Sequence, residues 1–243
     1  MRHAFFGDIH ANLEALRAVL ADMITQRIDD MYCLGDIVGY GANPSECIAI
    51  IRDLACPTVG GNHDAAAAGK LAVDQFNEYA RAAIIWTRRH LSQEETDWLL
   101  ALPLIRHFPD YSIVHSSLDD PGDFNYVDSV VEAAACFRKM QRPLCFIGHS
   151  HVPVVFFEDE PQALPRYTLS LDQTIQIEGR MIVNPGSVGQ PRDEDPRAAY
   201  CIYDSDEMQI TFRRVSYDTA AAAGKVRAAG LPELLAFRLE IGR

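Results

Sequence analysis

Short apolar runs alternate with amphipathic stretches along the first 150 residues of this chain. After His10, the positions Leu13, Leu16, Leu20 and Met23 or Ile24 recur at helical spacing, which predicts a helix with one buried face. Asn43-Pro44-Ser45-Glu46 carries a helix-start signature, with Asn as cap, Pro at the first position and Glu at the third. Ser92 with Glu95 repeats that signature ahead of Trp98, Leu99 and Leu100. Asp128 to Met140 reads as a further helix, stopped near Pro143.

The C-terminal third has a different rhythm. Val152 to Phe157, Arg166 to Leu171, Thr174 to Ile177, Met181 to Val183, Ala199 to Tyr203 and Gln209 to Val215 read as strands. Helical patterning is nearly absent there until Thr219, so hairpins of a second, more antiparallel sheet are expected. Strand–helix alternation followed by hairpins predicts an α/β sandwich with helices outside. No linker-like composition break interrupts the chain, so residues 1–243 are expected to form a single domain.

Composition narrows the class. The chain has 243 residues, 48% of them apolar, enough for a substantial core without disulfides. A formal net charge of -12 argues against a broad nucleic-acid surface. It is compatible with a phosphate substrate, because bound cations reverse the field inside a site. Cys33, Cys47, Cys56, Cys136, Cys145 and Cys201 form no CxxC pair and mostly sit in apolar runs, as small buried hydrophobes do. The N-terminus lacks the basic and apolar regions of a secretory signal, and no apolar run is long enough to cross a bilayer. A cytoplasmic protein with no membrane partner is therefore expected.

Chemistry concentrates at strand ends. Phe5-Phe6-Gly7 leads to Asp8 and His10, and Met31 to Gly35 leads to Asp36. Pro57 to Gly61 leads to Asn62, His63 and Asp64. Ser112-Ile113-Val114 leads to His115, and Leu144 to Gly148 leads to His149 and His151. Loops after strand C-termini converge on one edge of an α/β sheet, so these side chains can meet despite their separation in sequence. Asp8 and His10, two apart, would share a side if the backbone there is extended. A lone His or Asp after a strand is usually a turn or cap residue. Five of the eight histidines falling at such ends is a different matter, and His3, His90 and His107 read as structural or surface residues.

The motifs GDIH, LGDIVGYG, GNHD, VHSS and GHSH, in this order, resemble the calcineurin-like metallophosphoesterase superfamily, closest to its compact bacterial phosphodiesterase and dinucleotide-phosphatase-like branch. The stretch NPGSVGQPRD from Asn184 to Asp193 extends the likeness. The resemblance implies a four-layer αββα sandwich of two mixed β-sheets flanked by helices. It implies a first metal held by Asp8, His10, Asp36 and His151, and a second by Asp36, Asn62, His115 and His149, with Asp36 bridging. It gives His63 a substrate-facing role as general acid or transition-state stabiliser, with Asp64 as its orienting partner. Ala11 stands where many relatives carry Gly, which leaves the ligands intact but narrows the freedom of the backbone.

Such a ligand set suits hydrolysis. A bridging carboxylate holds two cations roughly 3.5–4 Å apart, and neutral imidazoles and an amide leave them electrophilic enough to yield hydroxide from water near neutral pH. Mixed nitrogen and oxygen donors without thiolate fit Mn, Fe, Zn, Ni or Co. The expected activity is hydrolysis of a small phosphate ester: a diester, a monoester or a dinucleoside polyphosphate, with nucleotides among the candidates. Asn12, Tyr40 and Asn43 are candidate substrate contacts, with helix capping and turn packing as the competing reading. Residues 65–90 are expected to form helices bordering the cleft. The alternative, a non-catalytic docking subunit on the same fold, should have lost ligands or His63, and none is missing. A Walker loop and a GxSxG elbow are absent, and Pro44 spoils the dinucleotide fingerprint begun at Gly39.

Overall fold

A computed structural model of the chain describes residues 1–160, 163–169 and 174–243. It opens with strand β1 (Arg2–Phe6), helix α1 (Leu13–Thr25), strand β2 (Asp30–Cys33) and helices α2 (Pro44–Leu54), α3 (Asn62–Ala67), α4 (Glu78–His90) and α5 (Gln93–Leu100). Strands β3 (Ile105–His107) and β4 (Tyr111–Val114), helix α6 (Val130–Lys139) and strand β5 (Leu144–Phe146) follow. The remainder is β6 (Val154–Glu158), β7 (Arg166–Thr168), β8 (Thr174–Gln176), β9 (Arg180–Asn184), β10 (Ala198–Asp204) and β11 (Gln209–Val215), closed by helices α7 (Thr219–Ala228) and α8 (Glu233–Ile241). Among the described residues no helix is long and apolar enough to cross a membrane.

The strands form two mixed sheets, ordered β2-β1-β10-β11-β8 and β3-β4-β5-β9-β6-β7. Side-chain alternation shows why they stack. On β1, Phe5 points into the cluster between the sheets, whereas Ala4 and Phe6 face α1 and α2. On β6, Val155 and Phe157 point inward, while Val154 and Phe156 join the layer under α6. Each strand thus feeds one face to the other sheet and one to helices, which builds four layers, αββα. At the centre the rings of Phe5 and Phe146, one from each sheet, stack 3.5 Å apart at 4°. Truncating either to Ala would cost about 3–5 kcal/mol.

Several expectations change here. The C-terminal strands do not make a sheet of their own: β8, β10 and β11 complete the first sheet, and β6, β7 and β9 complete the second. Their pairings supply most of the antiparallel part of each sheet: β10 with β1 and β11, β8 with β11, and β6 with both β7 and β9. The run Pro57 to Gly61 forms only a parallel bridge, Cys33 to Thr58, because Gly60-Gly61 turns at once into α3. The predicted strand Arg166 to Leu171 ends at Thr168, and its last two residues lie outside the described residues. In α1 the buried face is Leu13, Leu16, Val19 and Met23, and Ile24 is turned to solvent.

The parallel pairs aim the chemistry. β1 runs parallel to β2, and β4 to β5, so each pair delivers its following loop to one edge of its sheet. Hydrogen bonds join these loops: Asp8 N–H donates to Gly35 O (2.9 Å), and Gly148 N–H donates to His115 O (2.8 Å).

Candidate metal centre and cleft

At that shared edge the structure gathers two groups of buried ligand atoms: Asp8, His10, Asp36 and His151, and Asp36, His115 and His149. Within each group the atoms lie no more than 4.8 Å apart. Asn62 joins the second group, its Oδ1 3.2 Å from His115 Nε2. All seven residues are buried.

The backbone brings them together differently from the sequence expectation. Asp8, His10, Asp36, His149 and His151 all adopt left-handed conformations, with φ between 49° and 70°. Asp8 and His10 therefore converge through a tight turn, without an extended strand's alternation. Such conformations cost an L-residue about 1–2 kcal/mol each and persist where surrounding structure fixes them. The fixing is visible. The 184–190 turn braces the first loop: Ser187 Oγ–H donates to Asp8 O (2.8 Å), and Gly189 N–H donates to the same oxygen (2.8 Å). Asn184 Nδ2–H holds Gly148 O at 2.6 Å. Two glycines are required by close approach: a Cβ on Gly148 would lie 2.7 Å from Asp8 Oδ2, and one on Gly61 would collide with Asp36 Oδ1.

Each imidazole is oriented by its other nitrogen. His10 Nδ1 bonds Val38 O (3.1 Å), His115 Nδ1 bonds Leu34 O (2.8 Å) and His151 Nδ1 bonds Gln190 O (2.6 Å). A carbonyl only accepts, so these three rings carry a proton on Nδ1 and, in their neutral form, turn a lone pair inward on Nε2. His149 presents Nδ1 instead, and its ring stacks 3.9 Å from Tyr126. Sequence reading could not foresee the three carbonyls, because backbone acceptors leave no residue signature.

This arrangement fits a pair of cations. The lone pairs of His10 Nε2 and His151 Nε2 face each other at 3.0 Å. His115 Nε2 and His149 Nδ1 stand 3.2 Å apart. Asp36 Oδ2 is buried with no hydrogen-bond partner, 3.6 Å from His10 Nε2 and 3.4 Å from His115 Nε2. Its other oxygen accepts from His63 N–H at 2.8 Å. Converging lone pairs around an orphaned carboxylate oxygen repel unless positive charge sits among them.

Titration follows from burial and this crowding. Burial pushes His10, His149 and His151 below the ordinary imidazole range, with neighbouring cationic groups adding to the effect. Burial also lowers His63, to about 4, against the pull of Asp36. For His115 burial works the same way, but the charge of the nearby Asp36 overrides it and lifts the ring to about 9. Burial opposes ionisation of Asp36, yet His115 and His63 hold it well below the usual carboxylate range.

His63 stands at the wall of an open cleft of about 210 Å³ whose lining includes Tyr40, Asn62, Phe76, Phe124, Tyr126 and His149. Its ring is caged by Tyr40 (4.5 Å), His10 (4.8 Å) and Phe76 (5.1 Å). The segment 65–90 supplies part of this border through Leu71, Gln75, Phe76, Asn77 and Ala80, but mostly from the connection between α3 and α4 rather than from the expected helices. Asp64 corrects an expectation. Its carboxylate accepts from the N–H groups of Ile37 (2.9 Å), Val38 (3.1 Å) and Gly61 (3.1 Å), and no hydrogen bond joins it to His63. It pins the loop that carries Asp36 to the start of α3.

Two of the candidate substrate contacts are likewise absorbed by the scaffold. Asn12 caps α1 through Ala15 N–H and donates to Gly189 O and Tyr217 Oη. Asn43 occupies the cap position of α2, but its side chain bonds Glu46 rather than a backbone N–H. Tyr40 does border the cleft, and its Oη accepts from Arg192 Nη2 at 3.2 Å. Arg192 went unassigned on the sequence, although it lies in the NPGSVGQPRD stretch. His3, His90 and His107 stay outside the site: His3 lies 3.3 Å from Asp30, and His90 and His107 bond to Trp86 O and Ser112.

The model of the calcineurin-like phosphoesterase superfamily domain matches residues 1–208. The chain belongs to the calcineurin-like phosphoesterase superfamily. A crystal structure of a metallophosphoesterase from Sphaerobacter thermophilus superposes on this phosphoesterase-family chain with a TM-score of 0.90 at 43% identity, covering 100% of this chain and 99% of that one. An uncharacterized protein of Methanocaldococcus jannaschii is 41% identical over 249 residues, 99% of this chain and 98% of its own. A symmetrical bis(5'-nucleosyl)-tetraphosphatase of a Shewanella strain is 28% identical over 120 residues, 47% of this chain and 43% of its own. In this calcineurin-like chain Ala11 sits at φ 53°, a conformation that Gly adopts freely and Ala does not.

Proposed function

We propose that this chain is a dinuclear-metal-dependent phosphoesterase acting on a small phosphate ester. Asp8, His10, Asp36 and His151 would hold one ion, and Asp36, Asn62, His115 and His149 the other. The observation that carries this reading is Asp36 Oδ2, buried and unpartnered between two sets of inward-facing nitrogens. When bound, two such ions polarise a phosphoryl oxygen and bring the deprotonation of water to near-neutral pH.

The chain's own residues do the rest. Two carboxylates among neutral imidazoles leave the pair of ions a net positive charge, which attracts phosphate despite the protein's overall acidity. Burial keeps His63 neutral, so it serves as a hydrogen-bond donor to the leaving oxygen rather than as a standing cation. Asp64 acts on catalysis through position alone, by tying down Ile37 and Val38 beside the bridging residue. The likeness to the Shewanella bis(5'-nucleosyl)-tetraphosphatase supports a nucleotide substrate. The docking-platform alternative is not favoured, because all seven ligand positions and His63 are present and assembled.

Hydrolysis of bis-p-nitrophenyl phosphate by metal-stripped protein resupplied with Mn²⁺ tests the reading, alongside His63→Ala. Activity should return with metal and collapse in the variant. Two bound metals with no turnover of diesters or monoesters would turn the assignment toward docking.

A further inference from the structure

Beyond the metal centre lies a second opening that the proposed chemistry does not use. It is a groove of about 620 Å³ lined by Tyr126, Val152, Val154, Phe156, Tyr167 and Arg192. That volume lies within the range of small-molecule sites. Phe156 and Tyr167 present rings 6.1 Å apart, and Tyr167 is 56% exposed although it faces this groove.

The groove adjoins the metal centre. Ser150, on its wall, sits between His149 and His151. Tyr126 lines both the groove and the His63 cleft, with its ring stacked 3.9 Å from His149. Arg192 is tied to the same loop, its N–H donating to His151 O at 3.3 Å. Its guanidinium lies over the Tyr40 ring at 6.0 Å, and its buried Nε has no hydrogen-bond partner. An unpaired guanidinium N–H beside a phosphate-directed centre is matched by an anionic oxygen.

We propose that this groove is a substrate subsite for a flat aromatic group, of aryl or nucleobase size, esterified to the same phosphate whose other substituent leaves past His63. Arg192 would contact the phosphate between them. The inference rests on the phosphoesterase reading and narrows it: the preferred substrate is a diester with an aromatic non-leaving group. Aromatic walls favour a ring that can stack or meet them edge-on, and the apolar floor gains from excluding water.

The test compares 1-naphthylmethyl 4-nitrophenyl phosphate with methyl 4-nitrophenyl phosphate on Mn²⁺-loaded protein. The two share a leaving group and differ only in the substituent offered to the groove. Burying about 100 Å² of naphthyl surface at ~25 cal/mol per Å² supports a preference in kcat/KM of tenfold or more. Tyr167→Ser, at the exposed wall, and Val130→Trp, which fills the groove, should each reduce that ratio several-fold. Calorimetry gives a readout independent of turnover: naphthylmethylphosphonate should bind the metal-stripped protein more tightly than methylphosphonate, and both variants should lose the difference. Equal kcat/KM for the two esters, untouched by either variant, would overturn the subsite while leaving the phosphoesterase reading intact. Turnover of neither ester would count against diester hydrolysis, and the phosphonate preference would then decide the groove alone.

Discussion

Replacing Asp64 separates a scaffold role from a catalytic one. The side chain is fully buried and satisfies three backbone donors, Ile37, Val38 and Gly61. Asp64→Ala orphans all three, at about 1–3 kcal/mol for each buried group left unpaired. Part of that loss is returned, because burial and the nearby Asp36 push the Asp64 carboxyl up to about 7, so the native protein bears a cost in keeping it ionised. A net destabilisation of about 3–5 kcal/mol follows, a large share of the ~5–15 kcal/mol available to a typical domain. At roughly 2–4 °C per kcal/mol for a chain of this size, the midpoint should fall by about 6–20 °C. Asp64→Asn keeps one acceptor oxygen and should lose about 1–3 kcal/mol. Urea and thermal unfolding of the metal-stripped protein measure both. A shift below about 1 kcal/mol for Asp64→Ala, with turnover nevertheless abolished, would refute this reasoning and restore Asp64 as a partner of His63.

Other outcomes follow from the same geometry. His63→Ala should lower kcat by about 10²–10⁴ while metal content stays near that of the wild type, since its side chain lies outside both ligand groups. Ala11→Gly relieves a left-handed Ala at some entropic cost, so its unfolding free energy should equal or exceed the wild-type value by up to about 1 kcal/mol. Gly61→Ala would drive a methyl group into Asp36 Oδ1, so metal affinity should drop at least tenfold in equilibrium dialysis with the fold retained by circular dichroism.

Much of the site was legible because its residues follow apolar runs in fixed order. Asp8, Asp36, His115 and His149 each end a strand or the turn after it, and the parallel pairs β1–β2 and β4–β5 carry them to a common edge. What stayed hidden depends on backbone conformation and on groups that carry no residue signature. The left-handed turn that brings Asp8 to His10 is one case, and the carbonyls of Leu34, Val38 and Gln190 that set the imidazole tautomers are another. The family resemblance made Asp64, the next residue along, a partner of His63. At the start of a helix, however, the third residue reaches back to the cap, here Gly61, and the rest of its carboxylate was free for the Asp36 loop. The division of the C-terminal strands between two sheets was equally hidden, since alternation marks a strand's two faces without naming its neighbours.

Asp36 carries the central claim, so the most direct measurement is metal content per chain for wild type and Asp36→Asn after stripping and dialysis against Mn²⁺. The substitution keeps an acceptor for His63 N–H but replaces the charge that faces both nitrogen sets. The account predicts two ions per chain in the wild type and weakened binding at both positions in the variant, with bis-p-nitrophenyl phosphate turnover lost in parallel. Two tightly held ions in Asp36→Asn, or none in the wild type, would contradict it.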